Sequence, residues 1–436
     1  MEKIRTRTAP SPTGFAHVGT AYGALFNYAF AKKNNGKYII RLEDTDVKRN
    51  VEGAEKEILA SLSWLGITWD EGPDSGGPHF PYKQSQRLEI YKEKVKELLN
   101  KKLAYEDDGA IKLKGSQDDI VWEDLIRGSI TFPASEVNDF VIVKSDGYPT
   151  YHFAVVIDDH LMEISHVIRG EEHISNTPRQ IALYKAFGWE LPKFGHFPTL
   201  RGADRKKLSK RRDPVNLKIF RQEGYLPEAL VNFLCLLGWS HPEGKEIFTI
   251  AEFVDNFSLD RVRKAGPVFD TQKLDWINGE YIRKTSDEEL VKITLEHITG
   301  DVPEDFLLKV IPLIKERMAK LSEAQGLLEF FWQQPAWTKE IFEDPKSLEH
   351  LASANIALSG VKVWDLENIN KALGEKIVKN EFKTGNFYMT LRLAMAGKRI
   401  TPPINESMVI LGQDQVLHRI HDAESILVSV ESPEIQ

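Results

Sequence analysis

Three groups of residues in this sequence have types and spacings that could do chemistry. The first is Ser11-Pro-Thr-Gly-Phe-Ala-His-Val-Gly19. Gly14 and Gly19 keep the spacing of a phosphate loop, but Thr20 stands where such a loop requires lysine, so the P-loop reading fails on its key cation. What remains is a glycine turn before a helix start, where backbone N–H groups and the helix dipole favour an anion. That turn holds one histidine, His17. The second group is Lys206-Lys-Leu-Ser-Lys-Arg-Arg212, inside a run from Arg201 to Arg212 with seven cations against one aspartate. Lysine is a compact point charge that can reach charge developing on a phosphate, although such a run alone reads equally as a solvated surface. The third is a set of isolated charges near strand ends: Arg7, Glu43, Asp44, Asp46, Arg169, Glu171 and Glu172. Facing a cleft, arginine could grip a carboxylate and glutamate could accept from an ammonium group, which would make an amino-acid pocket. On residue types alone, a set of structural salt bridges is the simpler reading.

These groups need elements to hold them. Residues 4–9 alternate as a short strand does, and the Pro10–Gly14 run stops regular structure. Ala21, Ala24, Leu25, Tyr28 and Ala29 then share one face of a helix that Gly36 ends, and Lys37–Leu42 reads as a second strand. Strand, turn, helix and strand in about 40 residues make a βαβ unit, hence a parallel sheet with ligand sites at the carboxyl ends of its strands. Residues 53–65 give another amphipathic helix, and 71–81 are a Gly/Pro-rich seam. Residues 82–150, with a charged helix over 87–102 and short β-like runs, read as an insertion splitting one α/β domain. The strand-and-helix style resumes at 149–158, 166–169 and 176–187, and 194–200 is strand-like. After Asp213 the periods are helical: 227–237, 250–255, 269–276, 287–296, 303–322 and most of the remainder, with a corner at Pro402-Pro403.

At 436 residues the chain is too long for one core, and 42% apolar with 28% charged residues is ordinary globular usage. A net charge of −8 would argue against nucleic acid, but clustering of cations matters more than the sum. A looser basic stretch runs from Lys376 to Arg399. No stretch approaches the ~18 apolar residues of a membrane span. The single cysteine, Cys235, forms no internal disulfide, and paired Cys/His zinc spacings are missing, which fits a reducing cytoplasm.

In this order, the elements resemble those of the class I aminoacyl-tRNA synthetases, and among them the bacterial-type glutamyl-tRNA synthetases. Arg7 through Gly19 looks like the HIGH-type element, with Ala16 in place of the usual first histidine, and Lys207-Leu-Ser-Lys-Arg211 looks like the KMSKS-type loop. Between them lie Arg41-Leu-Glu-Asp-Thr-Asp46, Tyr148 through His160 and Val167-Ile-Arg-Gly-Glu-Glu-His173. The resemblance is strong over about 3–285 and weaker through the helical end, where Leu391–Gly397 and Ile410-Leu-Gly412 match.

The resemblance implies a split Rossmann-like parallel-sheet catalytic domain with an α+β insertion, followed by an all-helical anticodon-binding region. Its expected parts are 1–81 and 151–200 as the two catalytic halves, 82–150 as an acceptor-stem-binding insertion, 201–285 as the KMSKS-type loop and a helical stem-contact domain, and 286–355 and 356–436 as the two anticodon-binding parts. It implies an ATP- and magnesium-dependent reaction with L-glutamate and tRNA(Glu), in a cytoplasmic enzyme expected to be a monomer that does not bind a membrane. tRNA(Gln) is an alternative second partner, because anticodon discrimination lies in the helical end. His17, Lys207 and Lys210 would be catalytic, with Gly14, Gly19 and Glu172 joining them around ATP. Arg7, Ser11, Glu43, Tyr151 and Arg169 would surround glutamate, with Glu43 taking the α-ammonium. Arg169 would select substrate class, since a guanidinium demands a carboxylate and an amide offers it no charge. Leu103-Ala-Tyr-Glu-Asp-Asp108 stands where many members place zinc-binding cysteines, so no zinc is expected.

Overall fold

The structure, a computed structural model, describes residues 3–208 and 215–428. It divides into two compact units, Met1–Ile277 and Asn278–Gln436.

The first unit is built on parallel strands. β1 (Arg5–Thr8) pairs with β2 (Lys37–Ile40) in parallel, Arg5 opposite Lys37 and Thr8 opposite Ile40, and α1 (Val18–Lys33) makes the crossover. Gly36 ends that crossover because an added Cβ would lie 2.4 Å from the Ile4 carbonyl oxygen, so no other residue lets β2 start so close to β1. Beyond β2 the segment around Glu71 adds in parallel, and the Arg5 guanidinium forks onto Glu71 at 2.7 and 2.9 Å to tie the two together. After α2 (Ala54–Trp64) and α3 (Leu88–Asn100), the insertion forms an antiparallel sheet of β3 (Ala104–Asp107), β4 (Ala110–Leu113) and β7 (Phe140–Val143). It also forms the hairpin β5 (Ile120–Asp124) and β6 (Gly128–Phe132).

α4 (Tyr151–Leu161) leads back to β8 (His166–Gly170), whose start is joined to β1 by the Ser165 amide donating to the Arg5 carbonyl at 3.0 Å. α5 (Thr177–Phe187) then crosses over to β9 (Lys193–Phe197), parallel to β8 with Arg169 opposite His196. The β5 hairpin joins this sheet through Asp124 opposite Phe194. One apolar core holds Leu98, Ile142, Phe153, Val167 and Phe194, so the insertion packs continuously onto the α/β body. Short helices α6 (Leu217–Gln222), α7 (Pro227–Gly238) and α8 (Ile250–Asn256) follow, and α9 (Thr271–Lys284) carries the unit boundary.

The second unit is helical throughout its described residues: α10 (Asp287–Leu295), α11 (Glu304–Lys315), α12 (Glu323–Leu328), α13 (Ser347–Ser359), α14 (Leu366–Lys379), α15 (Thr384–Ala396), α16 (Ile404–Leu411) and α17 (Gln413–Val428). Leu351, Leu373, Phe387, Leu391 and Ile420 make its core. The helix expected over 303–322 stops at Lys315 instead. The Glu323 carboxylate accepts from the Ala319 amide at 2.8 Å and turns the chain there. Among the described residues no helix is long and apolar enough to cross a membrane.

Candidate active site

The carboxyl ends of β1, β2 and β8 open into one cleft of about 710 Å³, the place where a parallel sheet offers a ligand site. Arg7 and Arg169 are the penultimate residues of β1 and β8, and Glu43 lies just past β2. All three line the cleft, together with Ser11, Gly14, His17, Gly19 and Tyr151. Glu172 and Lys207 line it too. The other charges of the third group are engaged elsewhere. Glu171 pairs with Arg127 at 2.8 Å, Asp44 accepts from the Ser85 amide and hydroxyl, and Asp46 faces Arg49. For these three the salt-bridge and turn reading holds.

The glycine turn is fixed from three sides. Glu57 of α2 takes the Ala16 amide at 2.7 Å, the Val215 carbonyl takes the Val18 amide at 2.8 Å, and Leu217 donates back to the Ala16 carbonyl. His17 is the N-cap of α1 and its Nδ1 accepts from the Thr20 amide at 3.2 Å, so a neutral ring carries its proton on Nε2. The ring lies over Gly19, where a Cβ would come within 2.9 Å of Cε1 and Nδ1. No acid occupies the first turn of α1, so its positive end is uncompensated within the helix.

The second group approaches the same cleft. Arg201 bridges Lys207 across a tight hairpin, and the Lys207 ammonium meets Glu172 at 3.1 Å near solvent. Lys210 lies outside the described residues. The described residues on either side of that gap, Leu208 and Val215, both line the cleft.

The floor is an ion network on α4. Asp158 and Asp159 sit buried near the carboxyl end of a helix, where the dipole disfavours acids, and arginines compensate them. Asp159 takes a fork from Arg7 (Nε 3.1 Å, Nη2 3.2 Å) and a bond from Arg41 at 2.7 Å, while Arg87 holds Asp158 at 2.7 Å. Burial raises the Asp159 carboxyl, but Arg7 and Arg41 outweigh it and hold the group below the usual range. Glu43 goes the other way. Burial raises its carboxyl above the usual value despite Arg41 at 3.3 Å and Arg7.

Among the described residues no acid bonds directly to Arg169, although Asp159 and Glu43 lie near enough to act on its charge. Its Nε donates to His196 Nε2 at 3.2 Å and its Nη2 donates to Thr177 Oγ1 at 2.9 Å and Gln180 Oε1 at 2.7 Å. Its Nη1 is buried without a hydrogen-bond partner. Burial lowers its affinity for its proton, the mark of a guanidinium held without a counter-charge. Beside it Tyr151 reaches His173 Nδ1 at 3.3 Å, and burial, then Arg169, brings His173 down to about 4, so that ring is neutral. With Glu43 and Asp159 ionised, Arg7, Arg41 and Arg169 leave this end of the cleft one positive charge in excess. The site therefore suits a ligand that brings one net negative charge.

Arg41, Asp159, His173, Thr177, Gln180 and His196 were given no role by the sequence. The one usable signal was the pair of adjacent acids after the apolar run Ala154–Ile157. Among the described residues, no group of three or more His, Cys, Asp or Glu is arranged to hold a metal.

Residues 3–112 and 108–276 match the family model described as tRNA synthetases class I (E and Q), catalytic domain, and 288–424 match an anticodon binding domain. A glutamate–tRNA ligase of Fervidobacterium nodosum is 40% identical, covering 96% of this chain and 99% of its own. That of Acinetobacter baumannii is 37% identical over 100% and 96%. The crystal structure of a glutamate tRNA ligase from Elizabethkingia meningosepticum, in complex with its amino acid, matches with a TM-score of 0.88 at 32% identity, covering 98% of this chain and all of that one. A glutamate-tRNA synthetase from Elizabethkingia anophelis matches with a TM-score of 0.84 at 31% identity, over 97% and 100%. A catalytic domain of this kind joined to an anticodon-binding domain places the chain in the class I aminoacyl-tRNA synthetases of the glutamate and glutamine group, to which it belongs.

Proposed function

We infer that the chain is a glutamate–tRNA ligase. It uses ATP to activate L-glutamate and transfers the glutamyl group to the terminal ribose of tRNA(Glu). The observation that carries the choice of amino acid is Arg169, a cleft-lining, buried guanidinium held by neutral groups with Nη1 unpartnered. A glutamate side chain brings the missing negative charge. Glutamine brings none, and its amide N–H groups would face the arginine's own donors. Arg7 lines the same cleft, Glu43 accepts the α-ammonium, and Ser11 and Tyr151 complete the pocket.

The chemistry follows from this placement. An α-carboxylate oxygen of glutamate attacks the α-phosphorus of ATP and pyrophosphate leaves. A ribose hydroxyl of the tRNA terminus then attacks the adenylate carbonyl and AMP leaves. The turn from Gly14 to Gly19 suits a triphosphate, because the start of α1 carries no acid of its own. His17 stands at that helix start as its N-cap. Lys207 and Lys210 neutralise charge that builds on the phosphates, which is positioning and electrostatics rather than covalent catalysis. Magnesium, carried on the triphosphate oxygens, would supply further charge neutralisation. Glu172 anchors Lys207 at the nucleotide end. The helical unit binds the anticodon end of the tRNA.

Lys210 acts only on transition-state charge in this reading. Lys210→Ala should therefore cut tRNA-dependent ATP–pyrophosphate exchange about a hundredfold, or about 2.7 kcal/mol, with the KM for glutamate unchanged. Exchange at the parent rate would defeat the assignment. Exchange by the parent enzyme with glutamine in place of glutamate would defeat the choice of amino acid.

A further inference from the structure

Arg169 can read a carboxylate only if its plane is held while it waits for one. Of the five guanidinium N–H bonds, Nε and the two on Nη2 are committed to His196, Thr177 and Gln180, which leaves both hydrogens of Nη1. The bond to His196 is conditional. Nε of Arg169 is always a donor, so His196 Nε2 must be bare. A proton there would set two donors against each other at 3.2 Å.

What keeps that nitrogen bare lies on the far side of the ring. His196 Nδ1 meets Asp124 Oδ2 at 2.5 Å, with both side chains buried. A carboxylate so close calls for a hydrogen on Nδ1, and a neutral imidazole has only one to give. Burial lowers the affinity of His196 for a second proton, and the Asp124 bond does not overcome this. Asp124 is itself fixed, since its Oδ1 accepts the amides of Ile126, Arg127 and His196 at 3.0–3.1 Å.

We propose that Asp124 and His196 are positioning residues for substrate selection: Asp124 fixes His196 as the Nδ1-protonated tautomer, whose bare Nε2 holds Arg169 in the orientation that receives the substrate side-chain carboxylate. Asp124 belongs to β5 of the insertion. The inserted segment thus reaches the amino-acid end of the cleft through one aspartate and one histidine ring. This inference rests on the reading of Arg169 as the carboxylate-binding group.

Asp124→Asn tests it with little change of shape. Asparagine keeps an oxygen for the three amides and places an NH2 opposite Nδ1, which forces the ring proton onto Nε2 against Arg169. One disturbed hydrogen bond to a charged group predicts a rise of about tenfold or more in the KM for glutamate, with the KM for ATP unchanged. His196→Gln places an amide oxygen where Nε2 was and needs no partner to stay an acceptor. The double variant Asp124→Asn/His196→Gln should therefore recover most of the loss. Nitrogen NMR of the parent should show His196 protonated at Nδ1 and bare at Nε2, a readout that holds even if the variants fold poorly. The proposal is overturned by the opposite tautomer, by a parent-like glutamate KM in Asp124→Asn, by equal rises for glutamate and ATP, or by a double variant no better than the single. If the parent enzyme shows no tRNA-dependent exchange with glutamate, the functional reading itself fails; if it does and Asp124→Asn behaves as the parent, only the positioning role is lost.

Discussion

The β1–β2 wall of the cleft and its β8–β9 wall each carry a buried arginine. On the first wall, Arg7 forks onto Asp159, which Arg41 also holds, so cation and anion balance within the protein. On the second wall, Arg169 rests on a histidine, a threonine and a glutamine. The first arrangement is frame: each ion is there because removing it would strand another. In the proposed reading the second is a charge kept for a ligand. Arg419 of the helical unit is a useful third case. It too is buried without an acid bonded to it among the described residues, and burial brings it down to about 10, but its Nη1 and Nη2 cap the carbonyls of Met395 and Phe330. Burial without an acid does not mark a binding arginine by itself. Arg169 differs from Arg419 in lining the cleft and in keeping Nη1 without a hydrogen-bond partner.

The largest effect that would separate the two walls is on folding. Asp159→Asn leaves Arg7 and Arg41 buried and short of an anion, so it should cost about 3–5 kcal/mol in chemical denaturation. Arg169→Gln removes a cation that has no buried counter-charge, so its denaturation free energy should stay within about 1 kcal/mol of the parent. Equal losses in the two variants would erase the distinction between frame and binding group.

Proton linkage separates the walls' acids in sign. The lowered carboxyl of Asp159 gives stability that is complete above its unfolded value and is lost as pH falls through its folded one. The raised carboxyl of Glu43 takes up its proton sooner than an ordinary glutamate as pH falls, so protonating it favours the fold while removing the proposed partner of the substrate ammonium. The kcat/KM for glutamate should therefore decline on the acid side before the protein unfolds, and Glu43→Gln should remove that limb while lowering activity throughout. A limb that survives in Glu43→Gln belongs to another group.

Smaller effects are expected at the nucleotide end. Gly19→Ala sets a methyl 2.9 Å from the His17 ring, and displacing the ring should raise the KM for ATP by about tenfold, roughly 1.4 kcal/mol, with glutamate KM little changed. Least of all, Glu172→Gln breaks an ion pair to Lys207 that is 39–62% exposed, so it should change denaturation stability by less than about 1 kcal/mol. A larger change would mean that this pair holds the mouth of the cleft together.

Much of the frame was legible in the chain because its signals are local. The alternation at 4–9, the stop at Gly36 and the apolar stripe of α1 lie within a few residues of the structures they produce. The helix over 303–322 was misread for the same reason in reverse: it ends at Lys315, and beyond it the Glu323 carboxylate accepts the Ala319 amide, a side-chain bond to backbone that periodicity does not report. At the site, the residue types of the turn, the lysine loop and the strand-end charges were visible; Arg7, Glu43, Arg169, Glu172 and Lys207 line one cleft with the turn, whereas Asp44, Asp46 and Glu171 are engaged elsewhere and Lys210 lies outside the described residues. Which charges were spent and which were free was not visible. Asp159 meets Arg7 across 152 positions and Asp124 meets His196 across 72, and no local pattern announces such a pair.

The difference between the two walls is most directly tested by charging tRNA(Glu) with glutamate and with glutamine, using the parent and Arg169→Gln. The parent should prefer glutamate by about 10⁴ or more in kcat/KM, and the variant should lose about 2–5 kcal/mol with glutamate, so that the preference collapses. If Arg169→Gln still prefers glutamate as strongly as the parent, Arg169 is not the group that reads the carboxylate, and the charge left over on that wall serves something else.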